Sequence, residues 1–394
     1  MANRIGVAIS MESDIVFGRW EAIALIVNTI CARIFLNFPR SMAEDAGTAG
    51  WLETIYFTII TFLLFWLISK LYAKFNRQDL LDIAELGGGG ILRVVSGLII
   101  LALLLFIGTI ILREYSENMK IIALSDSPIS FVMGFFAVAM AVAAYLGLEG
   151  IVRSHAIVVP QIILALLFIL VAAVPYCKPT NLLPVLGNGG YGILGKGFLR
   201  LSTYSPLLYL FLLPPFIKDQ KSFKAVGYIA LGISAFLLLG SVLVYLLAYP
   251  YPTQLEYFLP VFQLARLINY GRLFQRLESL FVITFAAAAM HYLSAILFFA
   301  IHVFKKTFKL AYHRPLILPF TAIIFTLGLL PNNLMTVIDL ETKVSVRFFW
   351  GVTFILPIIL LSLARIRAVS GSAPRSQGPP GKNKAGAPKE SGER

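Results

Sequence analysis

Cysteine and charge are what this chain of 394 residues has least of. Two cysteines, Cys31 and Cys177, are too few for a disulfide framework or a thiolate metal site, so both are expected to pack as small hydrophobes. Only 13% of the residues are charged against 58% hydrophobic, which excludes a soluble domain of ordinary composition. The mean hydropathy of +0.83 is that of a polytopic membrane protein. The N-terminal residues contain neither an apolar run of signal-peptide length nor a small-residue cleavage site, so the first span itself is expected to target the chain. Catalytic signatures are missing too. No HExxH, GxSxG, GxGxxG or paired-Cys motif occurs, which leaves an enzyme reading without a constellation and gives no reason to expect a cofactor or metal. The nearest approach to a phosphate loop, Gly190, Gly195 and Lys196 in GYGILGKG, fails because Gly197 stands where Ser or Thr must hold magnesium.

Long hydrophobic runs are what the chain has in abundance. Runs of roughly 20 apolar residues bounded by charge or Gly/Pro lie near 19 to 37, 51 to 73, 91 to 113, 128 to 147, 156 to 176, 200 to 217, 225 to 249, 278 to 303, 315 to 332 and 346 to 364. The fold class that follows is an all-α polytopic membrane protein of about ten transmembrane helices. Two sets of five spans insert with opposite orientation, the condition for an inverted five-plus-five repeat. The domain reading is a cytoplasmic N-terminal segment, residues 1–18, a transmembrane permease-like domain, 19–366, and a disordered basic cytoplasmic tail, 367–394. The net charge of +13 matters here through its location, not its sum. Lys70, Lys74 and Arg77 follow span two, Lys305, Lys306 and Lys309 follow span eight, and both groups fall on one side, which places both termini in the cytoplasm.

Within this frame the first span, WEAIALIVNTICARIFLNFP, is the interrupted one. Thr29, Arg33 and Asn37 recur at i, i+4 and i+8, so a continuous helix would carry them as one polar stripe, with Asn28 beside it and Pro39 as its stop. A cation in hydrocarbon faces protein or water. Arg33 therefore either lines a ligand site or snorkels to the outer interface with Asn37. Span six is broken at the matching position by Tyr204, Ser205 and Pro206. Paired interruptions in two halves point to a midplane site, because unwound backbone offers N–H and C=O groups to a ligand; the alternative is that Pro206 begins a helix and Pro214 and Pro215 end one. On span eight, His291 and Thr284 share a face, and an intramembrane histidine is either a proton or ligand contact or a residue hydrogen-bonded to a neighbouring helix. Glu149 and Arg153 stand at i, i+4 between spans four and five, and Arg276 and Glu278 open span eight. Each pair reads as a structural lock or as a gate. No acid stands within a span core as a proton relay, since Glu149, Glu278 and Glu114 lie near span ends. The stretch Tyr257 to Tyr270 has apolar residues at helical spacing but is too short to span, and reads as an amphipathic lid on the outer surface.

The stretches IFLNFPRSMAEDAGTAGWL, YLGLEGIVRSHAIVVPQ, NLLPVLGNGGYGIL and RLINYGRLFQRLESLFV, in this order, resemble the endospore germination permeases over residues 10 to 365. These are the B-type subunits of spore nutrient-germinant receptors, in the amino acid, polyamine and organocation transporter superfamily. The resemblance implies an inverted five-plus-five fold with a small-molecule site between broken spans one and six and spans three and eight. It implies lining by Asn28, Thr29, Tyr204, Ser205 and Thr284, with Glu149, Arg153, Arg276 and Glu278 as charged landmarks. Related sequences commonly carry a Gly-containing break in span one where this chain has Cys31, Ala32 and Arg33. Arg33 favours a carboxylate-bearing ligand. The expected partners are an amino acid or other small nutrient, an A-type membrane subunit and a C-type lipoprotein, and the expected location is the inner membrane of a spore. The alternative function is an ion-coupled secondary amino acid transporter, and a water or ion conduit through the polar stripe of span one is a third.

Overall fold

The computed structural model describes residues 17–75, 77–217, 220–269 and 277–370. Two half-helices, α1 (Arg19–Cys31) and α2 (Phe38–Ala46), form the first span, and α3 (Gly50–Tyr72) the second. The third is carried by α4 (Leu80–Ile122), which bends at Gly89, and the fourth and fifth by α5 (Ile129–Ala173), which bends at Gly147. Both glycines have positive φ, 72° and 81°, a conformation that a side-chain-bearing residue rarely adopts. Span six runs from a π-helical turn at Tyr191–Lys196 through a 3₁₀ segment, Arg200–Tyr204, into α6 (Leu207–Leu212). Then come α7 (Gln220–Ala248), the short α8 (Pro260–Leu267), α9 (Leu277–Thr307) and α10 (Ile317–Leu329). The last span starts in α11 (Leu334–Leu340), passes through π-helical turns and ends in α12 (Leu356–Ser370).

Burial sorts these helices into an inner and an outer set. α9 packs along both α4 and α5, and α1 packs on α5 and α7. The most apolar stretch of α4 and that of α9 are each 61% buried, whereas that of α5 is 33% buried, so α4 and α9 line the centre and α5 faces lipid. Phe131, Phe135, Val138, Val142 and Tyr145 repeat at helical spacing as the exposed stripe of α5. In hydrocarbon such a stripe needs no cover, because lipid is as apolar as the side chains. Phe17 is tied to the end of span six, where its N–H donates to the Phe216 carbonyl at 3.4 Å and the two rings stack.

Several expectations are corrected. Pro39 does not stop the first span: it lies in the first turn of α2, where a missing N–H is harmless, and the span continues to Ala46. Span three continues past residue 113 to Ile122, and the last span begins at Leu334 instead of near 346 and ends at Ser370 instead of near 364. Among the described residues the amphipathic segment is helical over Pro260–Leu267, burying Val261, Leu264 and Ala265. The expected tail from 371 onward, the N-terminal residues 1–16 and Arg276 lie outside the described residues.

Candidate functional site

The break in the first span follows from its sequence. Pro39 has no N–H to return to the Phe35 carbonyl, so the helix cannot run through. The Leu36 N–H bonds Arg33 O at 3.1 Å in a 3₁₀ pattern, which frees the Ala32 carbonyl; Tyr115 of α4 donates its hydroxyl to that oxygen at 2.7 Å. A neighbouring helix thus satisfies the opened backbone, as hydrocarbon requires. Span six opens for the same reason at Pro206. Ser205 N–H pairs with Ser202 O at 3.0 Å, and Ser205 O accepts from Leu208 N–H at 3.0 Å and from the Thr353 hydroxyl at 3.3 Å.

Arg33 lies in the first opening, 8% exposed, and does not snorkel. Its Nη1 meets Glu341 Oε1 at 2.5 Å, at the start of the π-helical turn Glu341–Val346 in the last span. Its Nε and Nη2 have no hydrogen-bond partner, and neither carboxylate oxygen of buried Glu114 on α4 has one. Glu341, Tyr292 of α9 and Glu114 all act electrostatically on Arg33. Two carboxylates therefore share one guanidinium at the centre of the bundle, with a donor edge and an acceptor group left over. Arg33, Asn37, Ser41, Arg200, Ser202 and Glu341 border a crevice of about 10 Å³ between the two openings, room for a single water. Above it Arg200 Nε meets Asp45 Oδ2 at 2.6 Å, Lys196 stands 3.4 Å from Asp45, and the Glu53 carboxylate is buried with no hydrogen bond.

The other expected residues distribute as follows. Asn28 is buried and donates through Nδ2 to Ala288 O of α9 at 3.4 Å. The hydroxyls of Thr29 and Thr284 are each turned back onto their own helices, Thr29 to Leu25 O and Ile26 O and Thr284 to Leu280 O and Phe281 O. Because α1 ends at Cys31, Thr29, Arg33 and Asn37 do not form one continuous stripe. Tyr204 hydrogen bonds Thr58 of α3 at 3.0 Å, and the Ser205 hydroxyl is buried without a partner. His291 bonds the Ala287 carbonyl of its own turn at 2.8 Å and meets the His155 ring of α5 edge-on, centroids 4.9 Å apart. Glu149 and Arg153 pair at 2.5 Å, but within one helix and largely exposed, so they do not lock span four to span five. Glu278, half-buried, sits in the first turn of α9.

Sequence reasoning missed Glu341, Glu114 and Glu53, and the expectation of no acid in a span core is overturned. Glu114 sits in LREYSEN, a run that reads as the end of a span because Arg113 and Glu117 flank it. Those two neutralise each other at 2.7 Å, so the helix buries Arg113 and Glu114 and leaves Glu117 partly exposed. Arg33 itself was the available signal: a cation inside a span demands an acid from elsewhere in the chain.

Comparison with known proteins places this geometry. Residues 19–337 match the family described as spore germination protein. Spore germination protein KB of Bacillus subtilis (strain 168) is 24% identical over 62% of this chain and 66% of its own length, and spore germination protein YndE of the same organism is 22% identical over 88% and 96%. Among solved structures, that of MhsT in complex with L-phenylalanine is similar in fold, with a TM-score of 0.59 at 17% identity, covering 89% of this chain and 88% of MhsT.

Proposed function

Because the chain belongs to the spore germination protein family, we propose that it is the integral-membrane, permease-like subunit of a nutrient-germinant receptor that binds a small nutrient, an amino acid, and triggers germination. One observation supports this reading most. At the junction of the broken first span, Arg33 keeps an unpaired Nε and Nη2 edge while Glu114 keeps an unpaired carboxylate, both buried. A zwitterion complements both: its carboxylate takes the free guanidinium edge, and its ammonium takes the acid. MhsT, which shares the fold, is solved with an amino acid, L-phenylalanine. No chemical step is involved, and the work is a shift of population toward the conformation that holds the ligand better. An A-type membrane subunit and a C-type lipoprotein receive that shift, in a spore inner membrane with both termini of this chain in the cytoplasm.

The second reading, an ion-coupled amino acid transporter, is favoured by Glu114, a partnerless acid in the bundle centre of the kind that carries protons in transporters. Binding and uptake of radiolabelled amino acids by the full chain in liposomes, with and without ion gradients, separate the two. Saturable binding without accumulation is the expected result; gradient-driven accumulation makes the protein a transporter, and no binding of any amino acid removes both readings.

A further inference from the structure

Away from the central site, a cavity of about 420 Å³ opens where the start of α4, the end of span six and the end of α9 meet, on the side assigned to the cytoplasm. Its wall carries four cations, Arg93, Lys305, Lys306 and Lys309, and two acids, Asp82 and Glu85. Lys306 reaches Asp79 at 2.5 Å, beneath the wall, and Asp82 at 2.7 Å, while Glu85 takes Lys309 at 2.8 Å and Arg93 at 2.6 Å. Among the described residues Lys306, Lys309 and Arg93 thus face Asp79, Asp82 and Glu85, and the donors left over there belong to Arg93 and Lys309. Arg93 is 9% exposed and its Nε has no partner. The Lys309 side chain is 63% exposed and spends one of its three donors on Glu85. A ligand that fits is an anion with several acceptor oxygens. The neighbourhood is also apolar on its outer flank: Ile91, Val95 and Leu98 of α4 lie exposed within two turns of Arg93. Basic pockets between spans at the cytoplasmic boundary suit phosphate-bearing headgroups.

We propose that this cavity binds a phosphate group, carried by an anionic phospholipid or by a soluble phosphate compound, between α4 and α9. The site is separate from the crevice at Arg33 and does not depend on what binds there. Full-length protein in neutral detergent is offered phosphatidylglycerol, phosphatidylcholine or inorganic phosphate; bound lipid is counted by native mass spectrometry, and melting temperature is followed in parallel. Phosphatidylglycerol is expected to be retained over phosphatidylcholine, and Arg93→Gln and Lys309→Gln are each expected to weaken that retention about fivefold, the factor of one cation at an anionic membrane surface. Stabilisation by inorganic phosphate that is lost in the same variants assigns the site to a soluble phosphate instead of a lipid. Equal retention of the two lipids with no effect of phosphate, or retention unchanged in the variants, overturns the proposal. Lys309→Gln alone decides the matter if Arg93→Gln does not fold, since Lys309 is exposed.

Discussion

Arg33 and Glu341 show how much of a membrane protein's energetics sits in one residue pair. Removing one partner of a buried ion pair leaves an uncompensated charge, at about 3–5 kcal/mol, whereas replacing both by apolar groups of similar volume is near neutral. Arg33 is the cation among Glu341, Glu114 and Tyr292, so Arg33→Leu strands acids in the core. We expect Arg33→Leu to lower the melting temperature sharply, and the double variant Arg33→Leu with Glu341→Leu to recover most of it. Ligand binding should be absent from both. Recovery of binding in the double variant would separate Arg33 from the ligand and leave it a structural role. The same charge logic reaches the end of the bundle at Asp79, which is fully buried. Burial alone would push its carboxyl up, but the hydrogen bond from His302 at 3.4 Å and the Lys306 ammonium at 2.5 Å hold it well below the usual carboxylate range. A depressed folded-state value stabilises the protein above the unfolded value near 4 and loses that contribution as pH falls through the folded one. Asp79→Asn is therefore expected to destabilise at pH 7 and to cost progressively less below about pH 4. A constant difference between pH 7 and pH 3 in chemical-denaturation midpoints would contradict this.

Asp79 also carries an element. Its side chain accepts from Leu81 and Asp82 N–H at 3.0 Å each, capping α4, and Lys306 from the last turn of α9 closes the same cluster, so the ends of the two central helices are fixed to one another. Close helix approach is set elsewhere by small residues. A Cβ built on Gly227 of α7 would stand 2.0 Å from the Phe65 ring of α3. Gly227→Ala should therefore overpack the α3–α7 contact, at about 1–3 kcal/mol, and a thermal-shift measurement checks it; no change would mean that Phe65 swings freely despite being fully buried. At this scale the sequence was most legible. Apolar run length alone located the spans, because hydrocarbon forces every spanning backbone into a helix, and Pro39 and Pro206 marked the openings, because proline removes a donor wherever it stands. What proline could not indicate was direction: in α2 it opens the second half-helix and does not close the first. The site was half legible. Arg33 stood out because a cation inside a span is rare, but its partner lies 308 residues later in a stretch that reads as a charged loop. A local reading of hydropathy ends a span at the first charge, and thereby excludes the acids that the tertiary structure folds inward.

Taken as a whole, the molecule is pinned at two levels on either side of the first break. At one end Arg200 of span six holds Asp45 of α2, and at the other, the cytoplasmic end in the proposed orientation, Lys306 of α9 holds Asp79 at the start of α4. Between them the crevice has space for one water, far less than an amino acid fills, so binding requires spans one and six to part on one side or the other. A ligand can drive that opening only by holding the open form better than the closed one. Cutting a cluster should then do part of the ligand's work. Cys31, 5% exposed at the last residue of α1, is a native reporter of parting, and a Cys177→Ser background leaves it the single thiol. In sealed vesicles of known orientation, a membrane-impermeant thiol reagent is expected to leave Cys31 of the parent protein almost unlabelled. Lys306→Met should accelerate labelling from the cytoplasmic side and Arg200→Gln from the outer side, by roughly 5–30-fold for clusters worth one or two kcal/mol. A response to only one of the two variants identifies the side from which the proposed ligand enters. If neither variant changes the rate, neither the span one–span six cluster nor the α4–α9 cluster holds the closed form, and the bistable element must be sought in the bends at Gly89 and Gly147, where the backbone already departs from the helix.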